Sequence, residues 1–338
     1  MNRSMAAELL LDVRDLSVEF DTRAGRLRAV DSVSWTLHRG RTLVILGESG
    51  SGKSVSTQAI TGILDSPPGH VTGGQALFDG TDLLTLTERA RRGVVGSRIS
   101  LVFQDALSAL NPVHTVGRQI AELYRVHRGT SRSDAMKRAA EMLDRVGIPG
   151  ARARVHDYPH QFSGGMRQRV MIAMALALGP EVLIADEPTT ALDVTVQAQI
   201  LELLAEIQAD TDMGVVLITH DLAVAAEIAD DLVVMYAGRV VESGATADVL
   251  GDPQHPYTQG LLQSVPSAER RGQDLPAIPG TPPDLMRLPS GCPFRPRCPH
   301  AHDRCATERP ALQPAPGELR FGACHLLDQP LSPEGAAR

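Results

Sequence analysis

Eight consecutive residues, Gly47-Glu48-Ser49-Gly50-Ser51-Gly52-Lys53-Ser54, fit the pattern G-x-x-x-x-G-K-[ST]. Glycines at this spacing let backbone N–H groups converge on phosphate oxygens, and a helix starting at the end of the loop adds a favourable potential for an anion. Lys53 supplies a compact charge for the β- and γ-phosphates, and the Ser54 hydroxyl can ligate Mg2+. Lysine is scarce in this chain, Lys53 and Lys137 being the only two among 33 basic residues, so it is not filler at this position. A plain Gly/Ser-rich surface loop is the alternative, and it explains neither the lysine nor the strand and helix on either side.

A second stretch, Glu181-Val182-Leu183-Ile184-Ala185-Asp186-Glu187, reads as a buried strand ending in two carboxylates. Ligands collect at the carboxyl ends of parallel strands. Asp186 is therefore expected to hold Mg2+ through water, and Glu187 to orient and polarise a water for attack on a γ-phosphate. Alone, such an ending is more often a strand stop; the phosphate loop upstream is what favours the functional reading. Ser163-Gly164-Gly165, which 109 residues separate from Ser54, is a second glycine-rich helix start. Its N–H groups and helix dipole could bind a second anion, or Ser163 could be an ordinary N-cap.

The elements that must position these residues follow from periodicity. Residues 9–46 read as short strands of a β subdomain, with Leu43–Leu46 running directly into the phosphate loop, and the pattern after Lys53 turns helical to about Leu64. Ile99–Phe103 is another apolar strand, and residues 115–160 are charged and helix-forming, as an inserted helical lobe would be. A helix over Gly164–Leu178 leads to strand Val182–Ala185, helix Val194–Ala209, strand Val215–Thr219, helix Leu222–Ile228 and strand Leu232–Tyr236. Strands alternating with helices predict a parallel sheet covered on both faces.

Composition narrows the function classes. The 338 residues are 43% hydrophobic and 22% charged, with 33 Lys+Arg against 40 Asp+Glu and a net charge of −7, which disfavours nucleic acid as a partner. The longest strongly apolar run, Val170–Leu178, falls well short of the roughly 20 residues that cross a bilayer. The start, MNRSMAAELLLDV, lacks the features of a secretory signal. The expectation is a cytosolic chain whose membrane role, if any, comes through a partner. Seven prolines precede residue 251 and sixteen follow it, which divides the chain into a domain over 8–250, with its helical lobe at about 105–178, and a Pro-rich extension over 251–330.

The order of the pieces is itself diagnostic. The phosphate loop, Gln104 after a strand, Ser163-Gly164-Gly165, Asp186-Glu187, Ala191-Leu192-Asp193 and His220 after a strand follow one another as in an ABC-type ATPase, a resemblance that covers about residues 10–250. Phe162 and Met166 stand where that family's glycine motif usually has leucine and glutamine, a variant that resembles the peptide-importer branch. Phe103-Gln104-Asp105 through Leu110-Asn111-Pro112, Tyr158-Pro159-His160-Gln161-Phe162, His255-Pro256-Tyr257-Thr258 and Gly291-Cys292-Pro293-Phe294 resemble the same branch. Nearly the whole chain thus resembles the ATP-binding subunits of oligopeptide/dipeptide (and nickel) importers.

The resemblance implies an α/β P-loop NTPase core of the ABC type: a mainly parallel sheet, an antiparallel β subdomain, an inserted helical subdomain and a Pro/Cys-rich C-terminal extension. It implies ATP and Mg2+ as ligands, with Phe20 stacking on adenine, although Phe20 may equally be a strand-end core aromatic. Gln104 senses the γ-phosphate and Mg2+; Ser163, Gly164 and Gly165 act on the ATP of the opposite subunit; Asp193 reaches across the dimer; His220 contacts the γ-phosphate and pairs with Glu187. The implied function is ATP hydrolysis that energises import of di- or oligopeptides. The implied partners are a second, related but non-identical ATP-binding subunit, two transmembrane permease subunits and an external substrate-binding protein, with this chain peripheral on the cytoplasmic face of the membrane. The alternative, a soluble ABC-type ATPase not tied to transport, meets two objections: the 109-residue interval has no room for a long coiled coil, and the chain holds one cassette rather than two.

All four cysteines, Cys292, Cys298, Cys305 and Cys324, lie in the extension. In a reducing cytosol such a cluster suggests a metal site more than disulfides. No C-x2–4-C knuckle of the structural zinc kind is present, which favours an iron–sulfur ([4Fe-4S]) cluster over zinc. Unliganded thiols that help pack the tail are the third reading; His300, His302 and His325 could substitute as ligands at a metal site, but solvated side chains are the more ordinary reading of them.

Overall fold

The computed structural model describes residues 8–190, 192–265, 277–317 and 319–328. The N-terminal MNRSMAA, Ala191 of the Ala191-Leu192-Asp193 stretch, and residues 266–276, 318 and 329–330 of the expected extension lie outside the described residues. Two compact units are present. One comprises Met1–Leu11, Thr36–Thr42 and Leu77–Ile218, the other Asp12–Trp35, Leu43–Ala76 and Thr219–Arg338.

The first unit is built on three parallel strands, Ile99–Val102, Val182–Asp186 and Gly214–Thr219, in register Val102↔Ala185 and Asp186↔Ile218. Val182 to Ala185 and Val215 to Ile218 are buried without alternation, which is what strands covered on both faces require. That register brings the residues after Val102 and after Asp186 to the same end. Helix Val194–Thr211 buries Ile200, Leu203, Leu204 and Ile207, a stripe at helical spacing.

The helical lobe holds a helical hairpin. Thr115 caps Val116–Arg128 by accepting from the Arg118 N–H at 3.3 Å, that helix stops at left-handed Gly129, and Ser131 caps Arg132–Arg145 by accepting from the Asp134 N–H at 3.1 Å. Ile120 and Tyr124 on the first helix and Ala135, Ala139 and Leu143 on the second are buried, at the i, i+4 spacing that a helix pair needs. At the amino end of the central strand, Arg98 donates to Glu181 at 2.5 Å and to Asp79 at 3.2 Å, and Arg39 donates to Glu8 and Glu181. Hydrogen bonding from Arg98, against the opposing effect of burial, holds Glu181 below the usual glutamate range.

In the second unit, strand Thr42–Leu46 runs parallel to Asp231–Tyr236 in register Leu43↔Asp231, then enters the phosphate loop and helix Lys53–Thr61. Asp231–Tyr236 turns through Ala237-Gly238 into antiparallel Arg239–Ala245. The C-terminal extension then adds two short strands, Phe321–Gly322 on Glu242-Ser243 and Gln313–Pro314 beyond it. Strands Gly25–His38, Leu9–Thr22 and Gly69–Phe78 lie side by side in that order. The strand Arg239–Ala245 and the two tail strands go beyond the elements that the periodicity predicts.

The extension is fastened to the sheet by a carboxylate with no exposed surface. Glu242 accepts from Arg320 Nη2 at 2.9 Å, from the Gln254 N–H at 2.8 Å and from the His255 N–H at 3.0 Å. His255 is itself buried, its Nδ1 accepts from the Tyr257 N–H at 3.0 Å, and burial brings its pKa down to about 3, so the ring is neutral. Removing one partner of a buried ion pair strands the other charge, at about 3–5 kcal/mol. Arg320→Met is therefore expected to lower the unfolding free energy by about 3–5 kcal/mol in urea titrations, and Glu242→Gln/Arg320→Met, which removes the stranded charge but keeps an acceptor for the backbone N–H groups, to recover part of that loss.

Candidate functional site

The phosphate loop folds where the sequence places it, between strand Thr42–Leu46 and helix Lys53–Thr61. Its glycines are dictated by space as well as by torsion. A Cβ on Gly47 would lie 2.3 Å from the Met235 carbonyl oxygen. On Gly52, at φ +97°, it would lie 2.4 Å from the carbonyl of Ala29, so only glycine closes the bend there.

Lys53 is buried, and its Nζ donates to the carbonyls of Gly47 at 2.7 Å and Glu48 at 2.9 Å. Its charge is thus held at the mouth of the loop by main-chain dipoles. The Ser51 hydroxyl is buried with no hydrogen-bond partner among the described residues. A buried, unsatisfied hydroxyl beside a sequestered ammonium fits a phosphate group, because an oxyanion would satisfy both. Ser49 and Gly50 are exposed, and Ser54 is half-buried in the first turn of the helix.

Glu48 is gripped on three sides. Its N–H donates to Tyr257 Oη at 2.9 Å, and its carbonyl accepts from Lys53. Both its carboxylate oxygens accept from Arg297, at 2.8 and 2.9 Å. Burial raises the Tyr257 hydroxyl, and hydrogen bonding to Glu48 raises the Arg297 guanidinium, so the first stays neutral and the second charged. Tyr257 and Arg297 were not legible as site residues. The stretches that contain or adjoin them were noticed as resemblances, but their separations from Glu48 of 209 and 249 residues carry no local signal. In the same unit, Phe20 is half-buried near the end of strand Leu9–Thr22, and His220 is exposed after strand Gly214–Thr219. Next to His220, Asp221 caps helix Leu222–Ile228.

The first unit brings together Gln104 and Glu187. Gln104 Nε2 donates to Glu187 Oε2 at 3.1 Å, and the same oxygen accepts from Thr190 Oγ1 at 2.7 Å. Glu187 holds φ +44°, an uncommon conformation for a non-glycine residue, anchored by its N–H on the Ile218 carbonyl at 2.9 Å. Strained backbone of this kind is sustained only where its surroundings over-determine it. The carboxylate is thereby aimed from the strand end, next to Asp186.

Ser163 caps helix Gly164–Leu176, accepting from the Met166 N–H at 3.4 Å, and Ser163 and Gly164 are exposed while Gly165 is half-buried. Capping and access to a second molecule are thus compatible. Asp193 likewise caps helix Val194–Thr211, accepting from the Val196 N–H at 3.0 Å, and is exposed.

The structure lends the expected metal site in the tail no support. Cys292, Cys298, Cys305 and Cys324 do line one cavity, with His300, His302 and His325. That cavity has a volume of about 20 Å³, room for a single water as it stands. Among the described residues no three His, Cys, Asp or Glu side chains gather at metal-holding range. Burial pushes the Cys292 and Cys298 thiols up and Cys324 to about 11, which keeps them protonated. As they stand, the thiols pack as small, weakly polar groups around this cavity.

Comparison with known proteins agrees with this geometry. Residues 30–190 match the family model described as ABC transporter, and residues 241–305 match that of the oligopeptide/dipeptide transporter C-terminal region. The chain is 50% identical over 322 residues to the dipeptide transport ATP-binding protein DppD of Bacillus subtilis, covering 95% of this chain and 96% of that one. It is 50% identical over 314 residues to the oligopeptide transport ATP-binding protein OppD of Salmonella typhimurium, covering 93% of each. Among solved structures, a post-hydrolysis dimer of the ATP-binding cassette MJ0796 bound to ADP and Pi matches at TM-score 0.63 and 28% identity, over 70% of this chain and 99% of that one.

The space around Gly52 yields a test. Gly52→Ala is expected to cost about 1–3 kcal/mol in stability and to weaken nucleotide binding at least about tenfold. Gly50→Ala, at φ +80° with nothing within 4 Å of the added carbon, bears the torsional cost alone. Urea unfolding and nucleotide titration of the two variants check the difference.

Proposed function

The chain belongs to the ATP-binding subunits of oligopeptide/dipeptide ABC transporters, and on that premise we propose that it energises the import of di- or oligopeptides across the cytoplasmic membrane. Such a subunit hydrolyses ATP. The observation that carries the reading is the identity of about half of all positions with two peptide-transport ATP-binding proteins, extending through the C-terminal region. Among the described residues no helix is long and apolar enough to cross a membrane. The reading therefore includes two transmembrane permease subunits, an external substrate-binding protein and a second, related ATP-binding subunit, with this chain on the cytoplasmic face. It treats residues 8–250 as the nucleotide-binding domain and 251–330 as its extension.

Each residue's role follows from its chemistry. The adenine stacks on Phe20. The phosphates lie on the loop Gly47–Ser54, where Lys53 turns from the carbonyls of Gly47 and Glu48 to the β- and γ-phosphates and the Ser51 hydroxyl gains its missing partner. Ser54, Gln104 and Asp186 would hold Mg2+, which would supply neutralising charge to the phosphates. Glu187, its carboxylate fixed by Gln104 and Thr190, orients the attacking water and accepts its proton, and His220 contacts the γ-phosphate. Ser163, Gly164 and Asp193 are exposed, and Gly165 half-buried beside them, for the ATP of a second subunit. Their contacts add binding energy only in a closed pair, so ATP shifts the population toward closure and loss of the γ-phosphate lets it reopen.

Nothing favours an ABC-type ATPase divorced from transport. Glu187→Gln keeps the shape and hydrogen bonding of the side chain but removes its basicity. It is expected to leave MgATP binding within about twofold of wild type while phosphate release falls by about 100-fold or more. Wild-type turnover in that variant would remove Glu187 from the role of base.

A further inference from the structure

The C-terminal extension reaches into the phosphate loop, and the contact is electrostatic as well as structural. Glu48 brings a negative charge to the very loop that is to hold a polyanion. Arg297 meets that charge with a bidentate pair at 2.8 and 2.9 Å. The guanidinium is itself buried, its Nε donates to the Pro279 carbonyl at 2.9 Å, and it lies 5.9 Å from the Tyr236 ring centre and 6.0 Å from that of Phe294. Tyr257, packed in the same aromatic group at 4.7 Å from Tyr236 and 5.5 Å from Phe294, accepts from the Glu48 N–H. Glu48 is thereby held at its main chain and its side chain from outside the loop, by contacts that remain when Lys53 leaves its carbonyl for a phosphate.

We infer that Arg297 and Tyr257 are positioning residues for nucleotide binding, acting through Glu48: Arg297 cancels a charge that would repel the phosphates, and Tyr257 fixes the path of the loop. This rests on the nucleotide-binding reading of the loop, and it makes the extension part of the site. Charge cancellation has a signature that packing alone lacks, because a stranded Glu48 carboxylate does harm that deleting its charge undoes.

The experiment is titration of the full-length chain with MgATP and with ADP. Arg297→Met is expected to weaken both by about tenfold, and the added change Glu48→Gln in that background to restore binding to within about threefold of wild type. Tyr257→Phe, which removes one hydroxyl, is expected to weaken both by about threefold. For hydrolysis the loss falls on KM, with kcat changed less than about twofold, since the loop contacts are made in ground and transition states alike. Wild-type binding in folded Arg297→Met, or no recovery on adding Glu48→Gln, overturns the charge role; should Arg297→Met not fold, wild-type binding in Tyr257→Phe overturns the inference. A wild-type chain that binds ATP but energises no peptide import would defeat the proposed function and leave these affinities measurable.

Discussion

A loop that grips a polyanion with its main chain cannot fill its own bend with side chains. The carbonyls of Met235 and Ala29 stand where a Cβ of Gly47 or Gly52 would go. Strands Asp231–Tyr236 and Gly25–His38 can press so closely against the loop only because no side chain projects from it at Gly47 and Gly52. The same closeness buries Lys53, whose charge then needs the carbonyl dipoles of Gly47 and Glu48 until a phosphate replaces them. It leaves the Ser51 hydroxyl without a partner and turns the Glu48 carboxylate outward to Arg297. The chemistry of the site and the strain of its fold thus have one origin, the absence of side-chain volume inside the bend.

What could be read beforehand is local. The continuous apolar runs gave strands Val182–Asp186 and Gly214–Thr219 to within a residue, because a strand buried on both faces needs no partner to declare itself. Helix Leu222–Ile228 has the bounds its pattern predicts, and the structure adds that the Asp221 side chain caps it. The phosphate loop was legible for the same reason, since its spacing is a property of one short segment. Strand Arg239–Ala245 was missed: it carries Glu242, Ser243 and Gly244, and the burial of Glu242 makes sense only once Arg320 is in place. Tyr257 and Arg297 look like ordinary tail residues until the chain brings them to Glu48. The positive φ of Glu187 also has no sequence signal, because its anchor is the carbonyl of Ile218 on the neighbouring strand.

The cysteine cluster shows how a compositional signal can find proximity without fixing the chemistry. The four thiols do share one cavity, yet what holds the tail is the Glu242–Arg320 pair and the group formed by Tyr236, His255, Tyr257 and Phe294. Those rings supply apolar area that a loop-rich, Pro-rich segment otherwise lacks. The thiols line the cavity beside Phe294 and His255 as small, weakly polar groups.

The two short tail strands have a consequence for colloidal behaviour. Strand Arg239–Ala245 would otherwise end its sheet with a row of bare N–H and C=O groups, a template on which another polypeptide could assemble. Phe321–Gly322 takes that row, and Gln313–Pro314 covers the next. Two residues are too few to seed further growth, and Pro314 offers no N–H to an incoming strand. The tail therefore blunts this edge of the sheet against edge-to-edge aggregation.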